Sequence, residues 1–424
     1  MRRNRRRHRC ELGTASVGFF AGGGVCEVRL IFDNGARCLQ KLSVNDKLTL
    51  VREKNFLAIL CGIATAAILF ATLWPFNPFP PNRLSWLRDA NGLAFGGPGI
   101  ALSKTELRTD GAVPGDSYSL ELLLRPASNN LSTTILNFYR GPQEFAVRQW
   151  TDSLLVTREL ITAGNKLKRV KLDVGGIFPL GKLTLLTMTF GPGGTVVYVD
   201  GRHHGTYPKF AMTRSDLSGQ IVLGGSAVDN QPWPGEIRGL AVYEKELSAA
   251  EVSLHYTNWV DPRGTGPADL DGAIARYTFN ERSGNEVRNA VASGPNLEIP
   301  SYFQIPQKPM LKAAWKEFEP TKFYAIDLLM NVAGFVPLGF IFGAYFLLGR
   351  SRGQAILYAT LLGGALSFTI EVLQAYIPQR YSGTTDIITN TLGTFLGAAL
   401  ARPNMMRAIL GKAKLINRDG DSAS

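Results

Sequence analysis

Two stretches near the C-terminus repeat one pattern. Asp327-Leu328-Leu329-Met330-Asn331-Val332-Ala333-Gly334 and Asp386-Ile387-Ile388-Thr389-Asn390-Thr391-Leu392-Gly393 each set a carboxylate, an amide four residues on and a glycine at the head of a long apolar run. An ionisable side chain is costly in a bilayer and is normally turned toward a partner or cavity. A repeated Asp/Asn pair at i and i+4 on two apolar helices therefore points to a built site. The chain reads as a membrane protein.

Composition hides that reading, because the average hydropathy sits near zero. A soluble block of about 240 residues, rich in Gly, Pro and alternating apolar positions, lies between apolar helices at either end, so at least two domains are expected. The formal net charge of +12 raises the question of nucleic acid, but Arg2, Arg3, Arg5, Arg6, Arg7 and Arg9 crowd the first residues. Beside a membrane span, such a run reads as retention of the N-terminus on the cytoplasmic side, and no nucleic-acid partner is expected. Residues 1–50 hold Cys10, Cys26 and Cys38 without zinc spacing or helical periodicity. They read as a disordered basic segment or as the product of an upstream start codon. Cys61 falls in an apolar run and the central block has no cysteine, so that block must be held by its core.

Four spans can be drawn. The first, at 56–76, is uncharged over its apolar stretch and runs into Pro75-Phe76-Asn77-Pro78, which makes it an anchor and not a cleaved signal peptide. The others fall at about 326–348, 355–377 and 385–400. Arg52 and Lys54, Arg350 and Arg352, and Arg402, Arg407, Lys412 and Lys414 all fall on one side of these spans. The positive-inside rule then puts both termini and the 402–424 tail in the cytoplasm, residues 77–324 outside, and Arg380 in a short outer loop around 378–383.

The central block reads as strands. Segments such as 117–124, 183–190, 195–199 and 237–243 are short and β-branched or aromatic, with Gly or Pro turns between them. Asp200-Gly201 after Val199 predicts a tight hairpin. Ser248 followed by Glu251 predicts a capped helical turn. His203 and His204 point to opposite faces of a strand and make a poor metal pair.

The succession Val196-Val197-Tyr198-Val199-Asp200-Gly201, Leu223-Gly224-Gly225, Gly235 to Tyr243 and Leu247 to Val252 resembles the laminin-G-like, concanavalin A-like jelly-roll family. The expected domain spans 82–302. Tyr277-Thr278-Phe279-Asn280-Glu281 is similar to the segment that begins such domains, yet stands late, so either a circular permutation or a final strand completing the sandwich is expected. Hydrolases of this fold carry an E-x-D-x-x-E string, absent here. Asp152, Asp200, Asp216 and Asp229 are turn aspartates that leave calcium open. Asp229, Asn230 and Trp233 combine carboxylate, amide and aromatic in a loop and form a candidate glycan site, with a core or turn role as the alternative for Trp233.

Glu371, Gln374, Arg380, Asp386, Asn390, Asp327 and Asn331 all map to the outer half of the spans and form a candidate membrane polar pocket. Asn331 to Phe340, Ser367 to Gln374 with Pro378-Gln379-Arg380, and Asp386 to Gly393 resemble the VanZ-like family of bacterial membrane proteins, named for a role in teicoplanin resistance. The resemblance covers 323–401, and the first span is similar to that family's opening helix. The architecture expected is an all-β jelly-roll sandwich inserted into an all-α four-helix transmembrane bundle. Gly334, Gly339, Gly393 and Gly397 would allow close helix approach.

The function expected is a multi-pass cell-envelope protein whose external domain binds envelope glycan or protein, with a role in glycopeptide resistance. One alternative is a membrane-embedded enzyme acting on a lipid-linked intermediate, with Glu371 or Asp386 as acid or base. Another is a small proton-coupled transporter. No nucleotide, flavin or metal motif is present, so no cofactor is expected beyond the open calcium question. The expected partners are the lipid bilayer, envelope glycans or proteins, and a second copy of the chain.

Overall fold

A computed structural model describes residues 44–109, 117–129, 132–141, 143–161, 167–261, 266–267, 271–318 and 320–402. The arginine run, Cys10, Cys26, Cys38 and the tail beyond 402 lie outside the described residues.

The chain begins with α1 (Val44–Leu73) and then enters the strands. These are β1 (Leu84–Trp86), β2 (Leu93–Phe95), β3 (Ala101–Ser103), β4 (Tyr118–Pro126), β5 (Ser132–Arg140), β6 (Gln143–Trp150), β7 (Ser153–Ile161) and β8 (Leu167–Val174). They continue as β9 (Thr184–Gly191), β10 (Gly194–Val199), β11 (Arg202–Tyr207), β12 (Gln220–Leu223) and β13 (Gly235–Tyr243). Helix α2 (Ala249–Val260) precedes β14 (Ala273–Tyr277), β15 (Glu286–Val287) and β16 (Leu297–Glu298). A short α3 (Ala314–Glu317) leads to the long helices α4 (Lys322–Leu347) and α5 (Arg352–Ala375), and to α6 (Thr384–Leu400).

The strands form two antiparallel sheets. One runs β1-β2-β13-β4-β9-β10-β11 with β14 beside β13, and the other runs β15-β16-β3-β12-β5-β6-β7-β8. Alternation drives the layering: Leu120, Leu122 and Leu124 of β4 meet Phe145, Val147, Leu154 and Val156 of the opposite sheet in one fully buried core. Asp200 and Gly201 both take positive φ, 49° and 76°, and close the β10–β11 hairpin as their sequence predicts. Ser248 and Glu251 form a reciprocal capping box on α2. The late Tyr277 phrase completes the sandwich: β14 pairs with β13, and Tyr277 and Phe279 are buried in the same core.

Two compact units divide the chain. One holds Ala71–Glu319 with Phe368–Asp386, so the sandwich shares a unit with the last turn of α1, the end of α5, the loop after it and the start of α6. The other holds the remaining parts of the long helices. Within the latter, α4 and α6 cross closely, because a Cβ at Gly339 would lie 2.1 Å from Thr394 O and one at Gly397 2.0 Å from Val336 O. Gly393 is as tight, against Val332 O. Gly334 differs from the expectation: nothing among the described residues lies within 4 Å of its Cβ position, so it does not mark a close helix approach there. Among the described residues, three helical segments are long and apolar enough to cross a membrane, Val51–Leu73, α4 and α5. The 17-residue α6 is shorter.

Candidate functional site

The same alternation that fills the core puts polar residues on the outer face of the second sheet. On β6, Phe145 and Val147 turn inward, so Glu144 and Arg148 turn outward. Register places Tyr139 of β5 opposite Glu144, and Glu159 of β7 opposite Arg169 of β8. The part of this face around Glu144 and Arg148 is covered, whereas the Arg169 side chain stays exposed. Glu144 and Arg148 keep only 6% and 7% exposure.

The Glu144 carboxylate accepts from Asn137 Nδ2 at 2.6 Å and lies 3.8 Å from Arg148 Nη2. Burial pushes its carboxyl above the usual range, with the Arg148 charge opposing that push. Arg169 Nη2 meets Glu159 Oε1 at 2.8 Å. Arg148 is less well served: its Nε is buried without a hydrogen-bond partner among the described residues.

The segment after Phe303 forms the opposing wall. Phe303 and Ile305 pack on Ile100, Leu102, Val222 and Ala227 and fix the chain over the sheet. Lys308 then donates to Gln374 O at 2.7 Å and Ile377 O at 2.6 Å, a second donor for two carbonyls around the end of α5 that already accept from Ile377 N and Arg380 N. Burial pulls its ammonium down to about 8. Backbone bonds from Lys312 N to Ser382 O (3.0 Å) and from Thr384 N to Lys312 O (2.8 Å) stitch this segment to the loop before α6. Glu317 accepts from Thr385 N at 3.0 Å.

Between these walls lies a cavity of about 690 Å³. Its sheet side carries Tyr139, Glu144, Arg148, Glu159 and Arg169, and its loop side carries Asp229, Asn230 and Gln231. Lys308, Lys312, Lys316 and Glu317 close it, with Arg380, Tyr381 and Ser382 from the loop after α5. Among the described residues, six cations and four carboxylates line this space, in the size range of small-ligand sites.

The residues singled out in the sequence fall unevenly around this cavity. Asp229, Asn230 and Arg380 line it. Trp233 does not present a stacking plate: it is fully buried in the core, with Nε1 donating to Gln149 Oε1 at 2.7 Å. Its alternative core role is the one observed, since a side chain that large contributes most when its ring is desolvated.

Glu371 is buried, and its Oε2 accepts from Gly383 N at 2.7 Å. Asp386 and Glu317 are its charged neighbours. Gln374 Nε2 donates to Thr72 O at 2.9 Å, and Arg380 Nε donates to Trp74 O at 2.9 Å, so both tie the α5 end to the α1 end. These four residues share the sandwich unit. Asp327, Asn331 and Asn390 belong to the helical unit, where Asp327 is exposed and Asn390 Nδ2 bonds Ser367 Oγ at 3.0 Å.

Of the turn aspartates, Asp200 is held by Lys182 and Asp216 by Arg158, each at 2.9 Å. No group of three or more His, Cys, Asp or Glu side chains arranged to hold a metal occurs among the described residues.

Sequence reasoning missed Tyr139, Glu144, Arg148, Glu159, Arg169 and the lysines. A signal was present in the four-residue spacing of Lys308, Lys312 and Lys316. It also missed a second buried carboxylate: Glu121 accepts from Trp259 Nε1 (2.9 Å) and Tyr243 OH (3.1 Å) and lies 3.0 Å from His255 Nδ1, fastening α2 to the sheet.

Comparison with known proteins matches two family models, the concanavalin A-like lectin/glucanases superfamily over residues 101–253 and VanZ/LLP1 over residues 273–407. No curated protein matches. Among solved structures, domain 4 of AbnA, a GH43 extracellular arabinanase from Geobacillus stearothermophilus in complex with arabinotriose, is 17% identical. That match covers 41% of this chain and 85% of that one at a TM-score of 0.31. The binding domain of botulinum neurotoxin DC in complex with rat synaptotagmin II is 15% identical, covering 38% of this chain and 46% of that one at a TM-score of 0.28. The chain thus spans less than half of that toxin domain. The chain joins a jelly-roll region similar to the concanavalin A-like superfamily to a region similar to VanZ/LLP1, and among its described residues three helices are long and apolar enough to cross a membrane.

Proposed function

We propose that this protein is a multi-pass envelope protein that captures a polar envelope component, glycan or glycan-bearing, in the cavity between the sandwich sheet and the loop after α5. The observation that carries the reading is the cavity itself: about 690 Å³, floored by buried charge and walled by segments pinned with backbone hydrogen bonds. Such a site is built before its ligand arrives, which reduces the ordering cost of binding.

The proposed topology has α1, α4, α5 and α6 as four spans, with both termini inside and the sandwich outside. At 1.5 Å per residue, α6 reaches roughly 26 Å, near the lower limit for a span. Exposed Trp74, Phe76, Phe79, Trp315, Phe318 and Tyr376 near the helix ends suit the aromatic belt of an outer interface. The sandwich is then an insertion between the first and second spans, and the cavity lies at the outer membrane surface. Glycopeptide susceptibility is the phenotype expected from capture of an envelope component there.

An enzymatic reading rests on the proximity of Glu371 and Asp386. It stands second, because the Glu371 carboxylate is already engaged by Gly383 N and fixes the loop. The test is sedimentation of the purified full chain with isolated cell-wall glycan. The intact protein should co-sediment and Asp229→Ala/Tyr381→Ala should not; equal retention of both would place binding elsewhere.

A further inference from the structure

Resting on the cavity reading, we infer that the cavity is a receptor for an anionic group, a phosphate or carboxylate carried by a saccharide or a lipid headgroup, with Arg148 at its floor and Lys312 and Lys316 at its rim. The floor makes the strongest case. Arg148 is over nine-tenths buried, its Nε lacks a partner among the described residues, and its one ion pair, to Glu144, is long at 3.8 Å. A desolvated guanidinium is costly unless its planar fork is matched, and the oxyanions that match it are carboxylate and phosphate.

Glu144 cannot supply that match alone, since Oε1 also takes Asn137 Nδ2 at 2.6 Å. At the rim, Lys312 and Lys316 are exposed, and the structure gives neither side chain a hydrogen bond or ion pair among the described residues. Arg169 is already matched by Glu159, and Lys308 by two carbonyls, so neither is the expected primary contact. Four carboxylates in the same lining, Glu144, Glu159, Asp229 and Glu317, favour a ligand with hydroxyl or amide donors around its anionic group over a bare ion. A phosphorylated amino sugar has that chemistry.

The test uses the full chain in nanodiscs of neutral phosphatidylcholine, titrated calorimetrically with N-acetylglucosamine 1-phosphate, N-acetylglucosamine and inorganic phosphate. Repeating the titrations in phosphatidylglycerol nanodiscs separates a lipid headgroup from a soluble ligand. The sugar phosphate should bind at least tenfold more tightly than the neutral sugar, or phosphatidylglycerol should occupy the site and suppress it. Arg148→Gln and Lys312→Ala/Lys316→Ala should each weaken the interaction by about tenfold or more, the loss of a charge-assisted contact.

The rim variant alters exposed side chains only, so a fall in binding with unchanged thermal unfolding supports the inference even if Arg148→Gln misfolds. Equal binding of the neutral and phosphorylated sugars, or no binding in either lipid, overturns the inference. If cell-wall co-sedimentation nevertheless survives in Arg148→Gln and the rim variant, the cavity reading stands without its anion; if the intact chain fails to co-sediment, the cavity reading itself has failed.

Discussion

Glu371 separates a structural carboxylate from a catalytic one, and its geometry gives the sizes. The side chain is 1% exposed and accepts from Gly383 N at 2.7 Å. Glu371→Gln keeps an acceptor oxygen at that place and exchanges a charge-assisted hydrogen bond for a neutral one, a loss of about 1 kcal/mol. Glu371→Ala removes the acceptor, strands a buried N–H and opens a void, costing roughly 3 kcal/mol. In a unit of this size each kcal/mol moves the midpoint by about 2–4 °C, so Gln should lower Tm by about 3 °C and Ala by about 9 °C. The assay is tryptophan fluorescence of the full chain in phosphatidylcholine nanodiscs during heating, with glycopeptide susceptibility of a complemented gene-deleted host measured in parallel. Glu371→Gln should retain function. Complete loss of function at an unchanged Tm would refute the structural role and make Glu371 an acid or base.

Other expectations follow from the same geometry. Gly397→Leu should abolish membrane accumulation, since even a Cβ meets Val336 O at 2.0 Å, whereas Gly334→Ala should accumulate normally; immunoblots of membrane fractions read both. Burial depresses Lys308 from 10.5 to about 8, so between those values the unfolded chain binds the extra proton and the Lys308 contribution to stability rises with pH. Lys308→Met should flatten that rise in a pH series of unfolding midpoints. Glu121→Ala should destabilise the sandwich by roughly 3 kcal/mol, because Trp259 Nε1 and Tyr243 OH lose their buried acceptor and His255 Nδ1 its partner, and chemical denaturation should show it as an earlier midpoint.

Local patterns carried far in this chain. Alternation in residues 237–243 is enough to predict β13, and Asp200-Gly201 and Ser248/Glu251 announce a hairpin and a cap because each device is closed within a few residues. The sandwich cavity is different in kind. Arg148 and Glu144 are ordinary strand residues until register sets Tyr139 opposite Glu144 and the chain after Phe303 covers that face. Their burial is a tertiary fact, as is the contact that distinguishes Gly339 from Gly334. Trp233 shows the converse, because a loop of Asp, Asn, Gln and Pro around an aromatic reads as exposed while the fold turns the ring inward.

The most direct measurement is glycopeptide susceptibility of the gene-deleted host complemented by the intact chain, by Asp229→Ala/Tyr381→Ala in the cavity and by Glu371→Gln, with membrane levels matched by immunoblot. Intact and Glu371→Gln chains should restore the phenotype while the cavity variant fails. Restoration by the cavity variant with failure of Glu371→Gln would contradict the account and move the function from the sandwich cavity to the helices.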